Sequence, residues 1–304
     1  MRYIIALLLT STAAQAEVPA VVTDIPPVDA LVAAVMGDLG QPTLLLDRGA
    51  SAHSFALRPS QAAALANADL VVWIGPELTP WLATALGSLG ETAARLDLLD
   101  APGTERQDFA AKDDHHHDNE TEAEDATQGH DHAGIDPHAW LDPDNARLWL
   151  GLIAAELARL DPEHAAIYTE NATAATAAVD RAEAEADALL APVKDRPFLA
   201  FHDAYGYFTA HYGLTVAGTL ALGDAAPPGA RRLADLHATL AEGPALCIYP
   251  EVGHDPAMIE QLADGSRAVI GGALDPEGSA LEPGPDLYPE LIVSLARTIA
   301  ACMP

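Results

Sequence analysis

The chain has 304 residues, and its 15 Lys+Arg against 45 Asp+Glu give a formal net charge of −30. That sign excludes electrostatic attraction to nucleic acid or to an anionic membrane surface, because both are themselves negative. Half of the residues are hydrophobic, too many for general disorder, so a chain of this length can bury a real core as one large or two medium domains.

Residues 1–16, MRYIIALLLTSTAAQA, combine a basic start at Arg2, an apolar run from Ile4 to Leu9 and the small-x-small site Ala14-Gln15-Ala16. This is the pattern of a secretory signal peptide, cleaved near Ala16, and its apolar run is far shorter than the ~20 residues of a membrane span. The mature chain is expected to enter the periplasm with no direct membrane insertion. No Cys follows the cleavage site, which argues against a lipid anchor.

Next, short β-rich runs alternate with helical patterns. Strands are expected at 19–23 and 43–46 around a helix at 28–39, then a buried strand at 70–74 (LVVWI), a helix at 78–86 and a strand at 94–98. This alternation implies βαβ units and a parallel sheet, with ligand loops beyond the carboxyl ends of the strands. Residues 113–134 break the pattern. They hold eight acids, no Lys or Arg, and five histidines (His115, His116, His117, His130, His132), with little to pack, so a disordered loop with a secondary, weak metal affinity is expected.

From Asp161 to Pro192 there is no internal Gly, and Pro162 is the one internal Pro; Asp161 can act as N-cap with Pro162 first in the helix. Tyr168, Ala172, Ala175, Val179, Ala182, Ala186 and Leu189 recur at steps of four and three, which predicts one long backbone helix over 162–190. The alternation then resumes, with strands expected at 198–201, 214–217, 245–249 and 268–270 and helices at 229–242, 257–262 and 287–301. The expected fold is α/β: two similar parallel-sheet lobes, 17–143 and 192–304, joined by linking helices at 144–191, with a ligand site in the cleft between the lobes. Cys247 and Cys302 are the only cysteines. An even pair in an oxidising compartment reads as a disulfide tying the last helix to a C-terminal strand.

Seven histidines lie outside the tract. His164, His211 and His237 fall within helical patterns and His254 in a turn before one, where packing or surface roles suffice. His53, His138 and His202 sit where strand ends meet loops, each beside a turn residue or an acid. Neutral imidazole is the commonest protein ligand for zinc, and three with one oxygen make a tetrahedral site. A metal-binding imidazole needs its other N–H held by a carboxylate or carbonyl, for which Asp136, Asp142 and Asp203 are near in sequence. The fourth ligand is assigned to Asp275 in GGALDPEG, with Glu251 or water as the alternative and Glu251 better suited to a position behind a ligand.

These stretches (GASAHSFALRPSQ, DPHAWLDPDNA, FHDAYGYF and LDPEG), with the Cys pair and the His/Asp-rich insertion, make the whole mature chain resemble the metal-binding solute-binding proteins of ABC importers, of the zinc-specific ZnuA type. The resemblance implies a monomer of two lobes on a rigid helix that holds Zn²⁺ through His53, His138 and His202 and delivers it to a membrane permease driven by an ATPase. It also implies the Cys247–Cys302 disulfide. A His in the third place looks like the zinc branch, since manganese-type relatives place a carboxylate there, in keeping with nitrogen-rich sites suiting zinc. Some zinc members carry a Glu just before the first ligand His; here that position is Ala52, which directs the fourth place to Asp275 or water. Two other functions fit less well. A manganese or iron importer component would want more oxygen ligands, and a zinc hydrolase would want a general base beside an open metal position, for which no HExxH-like pairing is present.

Overall fold

The computed structural model describes residues 18–90, 92–109, 134–221, 229–242 and 246–302. The signal segment and the five-histidine tract lie outside them.

The first sheet is built from β1 (Val21–Thr23), β2 (Thr43–Leu44), β3 (Leu70–Trp73) and β4 (Ala94–Asp97), all parallel in the order β2-β1-β3-β4. Every residue of β1 and β3 is buried, as expected of central parallel strands covered on both faces. Helix α1 (Pro26–Met36) starts on Pro26 and Pro27, whose fixed φ suits a first turn, and stops at Gly37, which takes φ 55° and bonds back to the Ala33 carbonyl. Helices α2 (Pro59–Ala66) and α3 (Pro80–Leu86) complete the crossovers. A small antiparallel ribbon, β5 (Gln107–Asp108) with β6 (Ile135–Asp136), leads into the chain around His138.

Two long helices follow. α4 (Pro143–Leu160) is capped by Asp142, whose carboxylate accepts from the Asp144 N–H at 2.9 Å. The backbone helix is α5 (Ala165–Leu190), three residues shorter than expected. Residues 162–164 form a 3₁₀ turn instead, and Asp161 does not cap through its side chain. Its carboxylate bonds the Tyr168 hydroxyl at 2.8 Å and the His164 ring at 2.6 Å, which holds the α4–α5 corner shut. Tyr168, Ala172, Val179, Ala182 and Ala186 are buried along α5, the expected stripe; its small side chains let α4 and α9 lie close.

The second sheet contains β7 (Phe198–Ala200), β8 (Val216–Thr219), β9 (Cys247–Ile248) and β10 (Val269–Ile270), parallel in the order β10-β9-β7-β8. The second strand sits two residues later than expected, because the Leu214 N–H bonds the Thr209 carbonyl in the turn at Gly213 that ends α6 (Gly206–Tyr212). Helices α7 (Ala230–Glu242), α8 (Ala257–Ala263) and α9 (Leu287–Cys302) finish the lobe. Cys302, at the end of α9, is bonded to Cys247 of β9, with 6.1 Å between Cα atoms.

Within each lobe the first strand is central, the second lies to one side, and the third and fourth lie to the other. Crossovers therefore diverge from β1 and β3 in one lobe and from β7 and β9 in the other. Crevices open at the carboxyl ends of such strand pairs, and it is there that ligands of open α/β sheets bind.

Candidate metal centre

His202 lies two residues past β7 and Glu251 three past β9, so both occupy the crevice of the second lobe. Both are almost fully buried, and His202 Nδ1 lies 2.7 Å from Glu251 Oε2. The same carboxylate oxygen accepts from the Tyr205 hydroxyl at 3.0 Å. His138 is bonded in the same way: its Nδ1 is 2.7 Å from Asp136 Oδ1, which also accepts the His138 backbone N–H at 2.9 Å. In each case the carboxylate accepts a hydrogen bond from the Nδ1–H, which favours the tautomer with its basic lone pair on Nε2.

The rings gather. His138 stands with its centroid 5.4 Å from that of His202 and 5.9 Å from that of His53. His53 arrives on the loop after β2, where Trp81 donates its indole N–H to the Ala52 carbonyl at 2.7 Å and stacks edge-on against Phe55. Asp275 comes from beyond β10. A parallel bridge between Glu251 and Leu274 brings the extensions of β9 and β10 side by side, so that Glu251 and Asp275 face one cavity. That cavity, of about 100 Å³, is walled by His138, His202, Glu251, His254, Asp275 and residues 49–51, while His53 stands beside His138 and is not among its lining residues. It is well below the ~300 Å³ at which small organic ligands are housed and is of a size for an ion.

The Asp275 carboxylate is oriented by its own turn. Oδ1 accepts from the Ser279 N–H at 3.0 Å and the Ser279 hydroxyl at 3.2 Å, and Oδ2 from the Ala280 N–H at 2.8 Å. Four donors about 2.0 Å from a tetrahedral ion would lie roughly 3.3 Å apart. The cleft donors are spaced more widely than that: among the described residues, the set of three metal-type side chains whose donor atoms all fall within 4.8 Å is a different one, Asp142, Asp144 and His211.

That second set has other occupations. His211 Nδ1 is 3.0 Å from Asp142, and its Nε2 is 2.7 Å from Glu183 of α5. Arg147 spans Asp144 (2.6 Å), Asp180 (2.7 Å) and Glu183, so a cation already serves these acids. Asp142 and Asp144 stand at the N-terminus of α4, whose dipole disfavours a further positive ion.

Comparison with known proteins adds the family. The model described as "ZnuA: Zinc-uptake complex component A periplasmic" matches residues 21–302. The chain belongs to the ZnuA family. It is 46% identical to the high-affinity zinc uptake system protein ZnuA of Paracoccus denitrificans, over 95% of this chain and 93% of the relative. It is 37% identical to the protein of the same name from Brucella abortus strain 2308, over 93% and 91%. In fold it is similar to the periplasmic zinc binding protein TroA from Treponema pallidum, with a TM-score of 0.77 and 21% identity over 93% of this chain and 98% of that one. The family is one of periplasmic metal-binding solute-binding proteins and not of enzymes.

For this ZnuA-family chain, the expected partners of the candidate ligand histidines need correction in two places. Asp136 does hold His138, but His202 is held by Glu251, 49 residues away, and not by the adjacent Asp203. Asp142 turns to His211, which is therefore more than a packing residue. His254 stacks on Phe201 with centroids 4.2 Å apart and lies 3.5 Å from Glu251, at the edge of the cavity. Glu251 was expected behind a ligand, and it does stand behind His202; that His202 is the ring it holds follows from topology, since in this strand order the third strand adjoins the first and the residue after β9 faces the residue after β7.

Proposed function

We propose that this chain captures Zn²⁺ in the periplasm and hands it to an ABC-type importer, made of a permease and its ATPase, by binding and release without covalent chemistry. His53, His138 and His202 supply imidazole nitrogens, and Asp275 supplies the fourth, oxygen donor. The observation that carries this reading is the pairing of His138 and His202 with buried carboxylates around one ion-sized cavity. A nitrogen-rich donor set of this kind favours zinc over manganese. The near-full-length relatives named for high-affinity zinc uptake support the same cargo. In this reading residues 1–16 are removed on export, and the mature chain acts as a monomer with lobes 17–143 and 192–304 on linking helices 144–191.

Imidazoles must be neutral to bind, so affinity is expected to fall as pH drops through their range. Isothermal titration of the chelator-stripped chain from Glu17 tests the proposal. The expected Kd lies well below about 1 µM, and His138→Ala should weaken it strongly. Affinity no better than weakly micromolar, and unmoved by that substitution, would overturn the claim.

A further inference from the structure

Asp275 and His138 are 137 positions apart in the chain and come from opposite sides of the cleft, yet a tetrahedral site tolerates errors of only a few tenths of an ångström between its donors. One side chain links their two segments. Trp140, fully buried and two residues after His138, donates its indole N–H to the carbonyl of Pro276, the residue after Asp275, at 2.7 Å. Its ring lies against the His138 imidazole, with centroids 5.2 Å apart, and its own carbonyl accepts from the Tyr288 hydroxyl of α9 at 2.8 Å. From the opposite side of the same segment, the Tyr207 hydroxyl of α6 donates to the Asp136 carbonyl at 2.9 Å. The His138 segment is thus held on both flanks by elements of the second lobe. The far end of the Asp275 loop has a tie as well, from Arg48 Nη2 to the Leu281 carbonyl at 3.0 Å, but that bond is exposed and water competes for it. Pro276 strengthens the inner tie: its ring fixes φ, so holding its carbonyl also restricts the peptide that carries Asp275.

We propose that Trp140 is a positioning residue for metal binding: its indole N–H···O=C bond to Pro276 ties the Asp275 loop to the His138 segment, so that the carboxylate needs only a small approach to reach an ion held by His138. The proposal rests on the reading of Asp275 as fourth ligand. It deepens that reading by naming what fixes the ligand's place, since the hydrogen bonds from Ser279 and Ala280 orient the carboxylate within its loop but do not locate that loop relative to His138.

Trp140→Phe removes the N–H donor and keeps most of the apolar ring. Zinc affinity would be measured by competition with a chromophoric chelator for four chains: the unaltered protein, Trp140→Phe, Asp275→Ala and the double variant, with Co²⁺ absorption reporting coordination number. The expected result is a loss of about tenfold for Trp140→Phe in the unaltered background, the lower end of what outer partners of metal ligands contribute. In the Asp275→Ala background the loss should shrink to less than about twofold, because the loop then carries no donor to position. The Co²⁺ spectra of Trp140→Phe and Asp275→Ala should shift the same way, a change that weakened packing alone would not produce. An equal loss in both backgrounds, or no loss in either, overturns the proposal. An Asp275→Ala chain with full affinity instead overturns the ligand assignment itself. Should Trp140→Phe fail to fold, Tyr288→Phe, which removes the donor to the Trp140 carbonyl, carries the same test with a smaller effect of the same sign.

Discussion

The two lobes share one strand order, and each places a buried carboxylate across its crevice, but the two carboxylates serve different ends. In the first lobe Asp24, directly after β1, accepts the Ile25 N–H at 2.9 Å and reaches across to accept the Ile74 N–H, just past β3, also at 2.9 Å. In the second lobe Glu251, beyond β9, reaches back to the His202 imidazole beyond β7. Both acids are buried. A carboxylate whose lone pairs accept from backbone N–H groups is a stitch between strands, whereas one that accepts from an imidazole N–H places the ring's basic lone pair on the other nitrogen, as a metal ligand requires. A buried acid at a strand end therefore does not by itself mark a binding site; the partner decides.

The largest effect that would test this contrast is in Asp24. Burial pushes its carboxyl up to about 7, against hydrogen bonds that pull it down, from an ordinary value of 3.8. The folded state keeps this proton at pH values where the unfolded chain has lost it. Its contribution to stability is therefore complete below about pH 4 and is lost as the pH rises through about 7. Three pH units at about 1.4 kcal/mol each make a difference of roughly 4 kcal/mol. Urea denaturation of the chelated protein and of Asp24→Asn, from pH 4 to 7.5, should show the stability difference (parent minus variant) falling by an amount of that order. Zinc affinity of the variant should stay within about twofold of the parent, and a large loss would mean that Asp24 belongs to the metal site.

Glu251 should give the mirror image. Glu251→Gln keeps the shape and weakens the hold on the His202 Nδ1 proton, so zinc affinity is expected to fall about 10–100-fold, read by chelator competition at pH 7.5. The denaturation midpoint of the chelated protein should move little. If instead stability drops sharply and affinity holds, Glu251 is a stitch like Asp24 and the contrast between the lobes fails.

How far the sequence reaches follows from the same contrast. Strand-helix alternation, the stripe from Tyr168 to Ala186 and the Cys247–Cys302 pair were legible because each is a pattern of period or count within the chain. His53, His138 and His202 could be singled out because all three sit where strand ends meet loops, each beside a turn residue or an acid, and their rings do gather. What holds them was less legible. Asp136 was within reach because a residue two positions away can hardly avoid the ring. Glu251 and Pro276 reach their partners only through strand order and loop closure over 49 and 136 positions, which local pattern does not encode. Asp161 was half legible: it does stand at the N-cap position with Pro162 next, but of a 3₁₀ turn, and its carboxylate bonds the Tyr168 hydroxyl and the His164 ring instead of capping.

The smallest effect concerns the region that joins the lobes. His211, on the helix that follows His202, touches Asp142 and Glu183, with Asp144 3.9 Å off and Arg147 among the same acids. The hydrogen bond to Asp142 raises its pKa, burial opposes the rise, and Glu183 adds to it. Because the folded value lies above the unfolded one, the stabilisation is fully present below the ordinary 6.5 and is lost as pH rises through the folded value. His211→Gln should therefore lower stability by about 1 kcal/mol at pH 6, the scale of one partly exposed charged hydrogen bond, and by less at pH 8.5. Zinc stoichiometry should not change. The three acids and Arg147 make this an ion-pair joint, and a joint answers to protons through stability alone; were the variant to bind one zinc fewer, the tight Asp142–Asp144–His211 cluster would be a metal site, and closeness of donors would outweigh the Arg147 charge beside them.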